Sequence, residues 1–141
     1  MRYYFSYGSN MDRAHMKRLC RQAEPLGPAQ LNHHRFFIAF GGYASVAPKR
    51  GEIVYGVLWR ISARDRAALD AYEEVENGLY QSAALPVHWN GKLLRALVYV
   101  ANDARPAQPS ASYRDRVLDA ARSWMLPEHY LQSIASEMKA P

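Results

Sequence analysis

The segment Tyr7-Gly8-Ser9-Asn10 combines a short turn with an aromatic hydroxyl and a side-chain amide. It follows an aromatic-rich stretch that predicts a strand from Arg2, and it precedes a pattern that predicts a helix. Backbone amides at the start of a helix lack intrahelical partners and attract anions, and Gly8 lets a ligand approach the backbone closely. The segment therefore predicts either a carboxylate-binding turn or an ordinary strand-to-helix turn that binds nothing.

The second candidate is an acidic segment, residues 70–76, at the end of a helix predicted over residues 63–75. At helical spacing, Glu73 lies one turn after Leu69 on the flank of the apolar stripe, whereas Glu74 faces water. Desolvation, the negative end of the helix dipole and the neighbouring acids would together raise the pKa of a partly buried Glu73. The segment therefore predicts either a solvated acidic face or a general base that works near neutral pH.

The cysteine and the histidines predict no further chemistry. Cys20 and His15 lie five residues apart, which is a poor spacing for contact on a helix. His33 and His34 are adjacent on a predicted strand, so their side chains point to opposite faces and cannot share a metal ion. The sequence also lacks GxxxxGK[ST] and GxGxxG loops. We therefore expect no metal and no cofactor.

Turn signals and hydrophobic periodicity predict five or six strands with three or four helices between and after them. The predicted strands are Arg2–Tyr7, His34–Phe40, Ala44–Ala47, Ile53–Ile61, Tyr80–Trp89 and Lys92–Ala101, the last two joined by an Asn90-Gly91 turn. The predicted helices run from a cap at Asn10 or Asp12 to Gln22, from Ala63 to Val75, from Tyr113 to Met125, and from Pro127 to Met138. Pro25, Gly27 and Pro28 are expected to interrupt the chain. The sum is an α+β fold: a mixed, strongly curled sheet or barrel.

Composition restricts the class of protein. A chain of 141 residues with 49% hydrophobic residues is expected to form one domain over residues 1–141. The net charge is +5, but the basic residues are scattered and form no stripe, so we expect no nucleic-acid partner. A single cysteine, short apolar runs and an N-terminus unlike a signal peptide favour a cytoplasmic protein with no membrane association, as a monomer or homodimer. A non-enzymatic ligand- or RNA-binding barrel remains the alternative.

Two separate strings resemble one family. The string YFSYGSNM at residues 4–11 resembles the N-terminal signature of the γ-glutamylcyclotransferase (AIG2-like) family, and LDAYEEVENGLY at residues 69–80 is similar to its LDxxEgvxxgxY segment. Between them, Tyr55-Gly56-Val57-Leu58-Trp59 is similar to the family's WGVLW strand. The resemblance covers nearly the whole chain. It implies a γ-glutamylcyclotransferase-like barrel that cyclises γ-glutamyl amino acids to 5-oxoproline without a cofactor.

The resemblance also implies a role for particular residues. Glu73 matches the catalytic glutamate, Tyr80 matches the tyrosine that ends the catalytic segment, and Tyr113 matches a tyrosine that closes the site from a later loop. The expected substrate-binding residues of the first segment are Tyr4, Phe5, Ser6, Tyr7, Gly8, Ser9 and Asn10.

The signature Tyr-Gly-Ser-Asn resembles that of the dipeptide-type enzymes. The γ-glutamylamine enzymes tend to have Tyr-Gly-Thr-Leu and the glutathione-specific enzymes Tyr-Gly-Ser-Leu. Glu74 departs from the family pattern, because relatives often carry Gly there. The expected substrate is therefore a γ-glutamyl dipeptide. The alternatives are a γ-glutamylamine, glutathione, or ligand binding without catalysis.

Overall fold

Five strands close into a barrel in the computed structural model, which describes residues 2–139. The strands are β1 (Arg2–Ser6), β2 (Glu24–Ala39), β3 (Tyr43–Ile61), β4 (Tyr80–Trp89) and β5 (Lys92–Ala101). Their order around the barrel is β1-β3-β2-β4-β5. The pairs are antiparallel except where β1 meets β5 in parallel, through Tyr4 and Leu97. The predicted class, an α+β fold with a mixed, closed sheet, is confirmed.

Four α-helices accompany the barrel within residues 2–139: α1 (Arg13–Leu19), α2 (Ala63–Tyr72), α3 (Ala111–Ser123) and α4 (Glu128–Glu137). A 3₁₀ turn at Ser9–Met11 precedes α1. None of the helices in these residues is long and apolar enough to cross a membrane.

The predicted interruption at Pro25, Gly27 and Pro28 is wrong. The predicted separation of the strands Ala44–Ala47 and Ile53–Ile61 is also wrong. Strand β2 has 16 residues and continues through both prolines, and β3 has 19 residues and includes both short strands predicted in this region. The two pair along most of their length, with register shifts between Pro25 and Gly27 and between Asn32 and His34. A bulge leaves a residue outside the ladder and bends the strand, which is how a strand accommodates proline and glycine.

Several predicted helix ends are too late. Helix α1 ends at Leu19 rather than Gln22, and α2 ends at Tyr72 rather than Val75. Helix α3 begins and ends two residues earlier than predicted, and Pro127 is the N-cap of α4 rather than part of its first turn. The early end of α2 matters for the site. Glu73 becomes its C-cap, and Glu74 follows with a φ of 52°, which is outside the helical region.

Strands β1 and β3 approach closely at Gly56. A Cβ atom at this position would overlap the carbonyl oxygen of Ser6 and would come within 2.8 Å of the Phe5 ring. The Phe5 side chain is fully buried in the barrel, together with Leu58 of β3. The lack of a side chain at Gly56 therefore fixes the position of β1, the strand that leads into the Tyr7–Asn10 segment.

Candidate active site

A cavity of about 230 Å³ lies at one end of the barrel, beside the end of β1 and the C-terminal end of α2. Seven of the ten tyrosines line it: Tyr4, Tyr7, Tyr43, Tyr72, Tyr80, Tyr99 and Tyr113. The two acids on its surface are Glu73 and Glu74, and no Lys, Arg or His lines it within residues 2–139. The overall positive charge of the chain is therefore not concentrated at this cavity.

Glu73 is positioned by the end of α2. Its backbone N–H donates to the carbonyl oxygen of Leu69 over 2.8 Å, which completes the last turn. The side chain is partly buried, and burial raises the pKa of Glu73 to about 7. Desolvation accounts for this change, whereas the dipole and the neighbouring acids were also expected to contribute. Glu74, by contrast, is exposed.

The side-chain amide of Asn10 contacts Glu73 directly. Its Nδ2 lies 3.4 Å from Oε1 of Glu73 and 2.9 Å from the hydroxyl of Tyr4. A carboxylate accepts hydrogen bonds, so the nitrogen faces it and Oδ1 faces the other way. Asn10 is only 5% exposed, and its Oδ1 has no hydrogen-bond partner. Asn10 Oδ1 is therefore a buried acceptor that has no partner within residues 2–139.

The helix after β1 begins at the second of its two predicted caps, Asp12. The 3₁₀ turn at Ser9–Met11 follows Gly8, and α1 begins only at Arg13 and has seven residues. The Asp12 carboxylate accepts from the His15 amide at the start of α1. The start of α1 is thus already capped by a protein carboxylate, and binding of a substrate carboxylate at the preceding Tyr7–Asn10 turn stays a prediction.

Tyr113 of α3 closes the cavity from the other side of this turn. Its hydroxyl accepts a hydrogen bond from the Ala44 amide over 3.0 Å. A Cβ atom at Gly8 would lie 3.0 Å from that hydroxyl, so the glycine allows the close approach. Burial raises the pKa of Tyr113 to about 12. Tyr113 therefore remains protonated, and its O–H hydrogen is available to a ligand.

Other hydroxyls of the cavity are already engaged. Tyr7 donates to the carbonyl oxygen of Tyr99, and Tyr80 donates to that of Ala44 over 2.7 Å. The hydroxyl of Tyr99 donates to the Asp70 carboxylate over 2.7 Å, and Arg66 bonds the same carboxylate at 3.2 Å. These bonds hold the rings in place, because moving a ring would leave its buried hydroxyl without a partner and would destabilise the protein.

The predicted site residues are brought together with one exception. The residues that line the cavity are Tyr4, Phe5, Tyr7, Gly8, Ser9, Asn10, Glu73, Tyr80 and Tyr113. Ser6 does not line it, because its hydroxyl lies beside the Val57 carbonyl and accepts from Trp59 Nε1 over 2.9 Å. Ser6 thus connects β1 to β3 behind the cavity.

Tyr43 and Tyr99 also line the cavity, and the sequence did not single them out. Tyr99 lies two residues after Leu97, the residue that pairs with Tyr4 where the barrel closes. The position of Tyr99 at the cavity could have been predicted from the pairing of Tyr4 with Leu97. Tyr43 contacts Tyr113 edge-on, with ring centroids 5.2 Å apart. Its only signal in the sequence was an aromatic residue directly after two glycines.

The cysteine is not a nucleophile at this site. Cys20 is buried, and its thiol contacts the carbonyl oxygen of Asp65 at 3.8 Å. Burial raises the pKa of the thiol to about 12, so it remains protonated and unreactive near neutral pH. Within residues 2–139, no group of three or more histidine, cysteine or acidic side chains is arranged to hold a metal ion.

Comparisons with known proteins identify relatives of this chain. Gamma-glutamylcyclotransferase of Mus musculus is 28% identical over 93% of this chain and 76% of its own length. The protein of the same name from Homo sapiens is 26% identical over the same shares of the two chains. A solved structure titled gamma-glutamyl cyclotransferase superposes with a TM-score of 0.91 at 22% identity, covering 99% of this chain and 89% of the other. The solved structure demonstrates the fold.

The family follows from the match over most of the sequence. Residues 4–125 match the family described as gamma-glutamyl cyclotransferase, AIG2-like, and this range includes both the Tyr7–Asn10 segment and Glu73. The match extends from the first strand of the barrel through α3, so it includes every element that lines the cavity. The chain therefore belongs to the γ-glutamyl cyclotransferase, AIG2-like family.

Proposed function

We propose that this protein cyclises γ-glutamyl amino acids, releasing 5-oxoproline and a free amino acid, with Glu73 as general base and then general acid. The family and the curated relatives support an enzyme of the γ-glutamylcyclotransferase type. The observation that carries the reaction is the placement of Glu73: a partly buried carboxyl group with a pKa raised to about 7, on the wall of a tyrosine-lined cavity. Such a group can both accept and return a proton near neutral pH.

The reaction needs one base and a fixed conformer of the substrate. The carboxylate of Glu73 takes a proton from the substrate α-ammonium, and the resulting amine attacks the γ-carbonyl carbon to form the five-membered ring. Glu73 passes this proton to the amide nitrogen, and the bond from the carbon to that nitrogen breaks as the tetrahedral oxyanion returns to a carbonyl. The ring nitrogen then loses its second proton, which the released amine takes up. Because nucleophile and electrophile belong to one molecule, the cavity accelerates the reaction mainly by holding them together.

Residues 4–10 and Tyr113 supply the contacts that orient the γ-glutamyl group. The Nδ2 of Asn10 holds the Glu73 carboxylate from one side and leaves it free to accept a proton from the α-ammonium. The hydroxyls of Tyr4 and Tyr113 accept protein hydrogen bonds and donate none within residues 2–139, so their protons are free for the substrate carboxylate or the developing oxyanion. Gly8 and Ser9 offer their main chain at the same wall.

Assaying 5-oxoproline release by the purified protein tests this function. Three substrate classes are compared at equal concentration: γ-glutamyl dipeptides, γ-glutamylamines and glutathione. We expect the highest kcat/KM with dipeptides. Faster turnover of γ-glutamylamines or of glutathione would reassign the substrate within the same reaction. Binding without product from any class would make the protein a non-catalytic member of the fold and would overturn the proposal.

A further inference from the structure

An apolar groove continues outward from the mouth of the cavity. Phe40, Tyr43 and Leu79 are 55%, 51% and 38% exposed, and an apolar patch of this kind is more informative than a single exposed apolar residue. Tyr43 and Leu79 line both the cavity and a neighbouring groove, and Phe40 lines the groove alone. The three side chains therefore form one apolar path from the candidate active site to solvent.

The cavity is smaller than most pockets that enclose a whole ligand. Its volume of about 230 Å³ is below the range of roughly 300–1,000 Å³ that is common for pockets enclosing a whole ligand. With the γ-glutamyl group against Asn10 and Glu73, the departing amino acid must extend towards the mouth. Its side chain is thus the part of the substrate that reaches the groove.

The groove is fixed relative to the catalytic groups. The ring of Tyr43 packs edge-on against Tyr113, with centroids 5.2 Å apart. Leu79 precedes Tyr80, whose hydroxyl donates to the Ala44 carbonyl over 2.7 Å. A rigid apolar surface discriminates between substrates better than a mobile one, because binding does not first have to order it.

The charged side chains around this path are three acids and the Arg105 guanidinium. Within residues 2–139, the charged side chains that line the cavity or the groove are Glu73, Glu74 and Asp103. Asp103 is paired with Arg105 at 2.6 Å, and the Arg105 guanidinium lies over the Phe40 ring at 4.2 Å. Glu74 is thus an exposed carboxylate on the cavity wall with no ion pair within residues 2–139, and it repels an acidic side chain on the departing group.

We propose that the groove of Phe40, Tyr43 and Leu79 binds the side chain of the departing amino acid and selects γ-glutamyl compounds of large apolar or aromatic amino acids. This inference rests on the proposed cyclotransferase function. All such compounds share the α-carboxylate of the departing amino acid, so differences in kcat/KM between them do not arise from that group. The side chain alone decides the order of turnover.

Steady-state kinetics with four compounds tests the groove: γ-glutamyl-phenylalanine, γ-glutamyl-glycine, γ-glutamyl-glutamate and γ-glutamyl-lysine. We expect kcat/KM for the phenylalanine compound to exceed that for the glycine compound by about tenfold, since a partly buried aromatic ring removes apolar area from water. The glutamate compound should be the slowest. Equal turnover of the phenylalanine and glycine compounds would overturn the inference while leaving the proposed function intact.

Two variants test whether the groove is the source of the preference for the phenylalanine compound. Phe40→Ser and Leu79→Ser should each lower the phenylalanine-to-glycine ratio of kcat/KM at least about threefold. Leu93→Ser is the matched control, because Leu93 is 60% exposed and lines neither the cavity nor the groove. An unchanged ratio in both groove variants, or fastest turnover of the lysine compound, would show that the groove does not set specificity. Absence of turnover with all four compounds would overturn the proposed function and this inference together.

Discussion

The side-chain nitrogen of Asn10 lies 3.4 Å from Oε1 of Glu73, although strands β2 and β3 lie between these two residues in the sequence. The same nitrogen contacts the Tyr4 hydroxyl at 2.9 Å. One amide therefore joins β1, the turn after it and the end of α2. It also fixes which face of the Glu73 carboxylate is turned towards the cavity.

Exchanging Glu73 and its neighbour for glutamine separates catalysis from surface charge. Glu73→Gln removes the proton acceptor and should lower kcat by about 10²–10⁴-fold without unfolding the protein, because glutamine has nearly the same shape. Glu74→Gln should stay within about twofold of the parent, since Glu74 is exposed. Initial rates of 5-oxoproline release and melting curves measure both effects. A reversed pattern would identify Glu74 as the base.

The pH dependence of kcat/KM should show an acidic limb near 7. Glu73 must be ionised to accept a proton, and burial raises its pKa from the ordinary 4.5 to about 7. The rate should therefore fall tenfold for each pH unit below that value. A limb near 4.5 would show that the carboxylate is not desolvated in the free protein.

The same group makes stability depend on pH. Because its pKa is raised on folding, Glu73 stays protonated in the folded protein while it ionises in the unfolded chain, so the free energy of unfolding falls as pH rises from 4.5 to 7. Glu73→Gln should remove this part of the slope. Urea unfolding of both proteins at several pH values measures it. Parallel curves for the parent and the variant would contradict the raised pKa.

Asn10→Asp should move the acidic limb upward. A second carboxylate about 3.4 Å from Glu73 disfavours ionisation of both groups, so the limb should rise by about one pH unit and the maximal rate should fall. Asn77→Asp is the matched control, because Asn77 bonds the exposed Glu74 at 3.3 Å and does not line the cavity. Equal shifts in both variants would indicate a general charge effect rather than contact with Glu73.

Glu74→Gly should stabilise the protein. Glu74 has a φ of 52°, a left-handed conformation that costs a residue with a Cβ atom about 1 kcal/mol. Glycine adopts it freely, so the free energy of unfolding should rise by up to about 1 kcal/mol. Glu76→Gly is the control, since Glu76 has no positive φ and should lose stability. A lower melting temperature for Glu74→Gly would rule out backbone strain at this position.

Local signals predicted the parts of the fold that depend on neighbouring residues. The Asn90-Gly91 turn has φ values of 49° and 74° at its two residues, and Ser62 and Asp65 form the expected capping box. The long β2–β3 pair was missed because a bulge is decided by the partner strand, and the prolines alone favour a break.

The residues of the candidate site also fall into two groups, those that local sequence predicts and those that depend on contacts between distant strands. The Tyr7–Asn10 segment and Glu73 were found through local strings, but Tyr99 enters the cavity only because β5 closes the barrel beside β1. The position of Ser6 behind the cavity likewise depends on its contact with Trp59 of β3. The catalytic and binding roles of all these residues stay predictions.

The single parallel contact between Tyr4 and Leu97 has a consequence for the order of assembly. Strand β1 and the β4–β5 hairpin can each form their antiparallel pairs first, but the cavity needs both of them joined and α3 docked against the turn after β1. Contacts between distant parts of a chain form slowly, because they close large loops. We therefore expect the cavity to form late in folding, and recovery of activity after refolding to follow barrel closure rather than the formation of secondary structure.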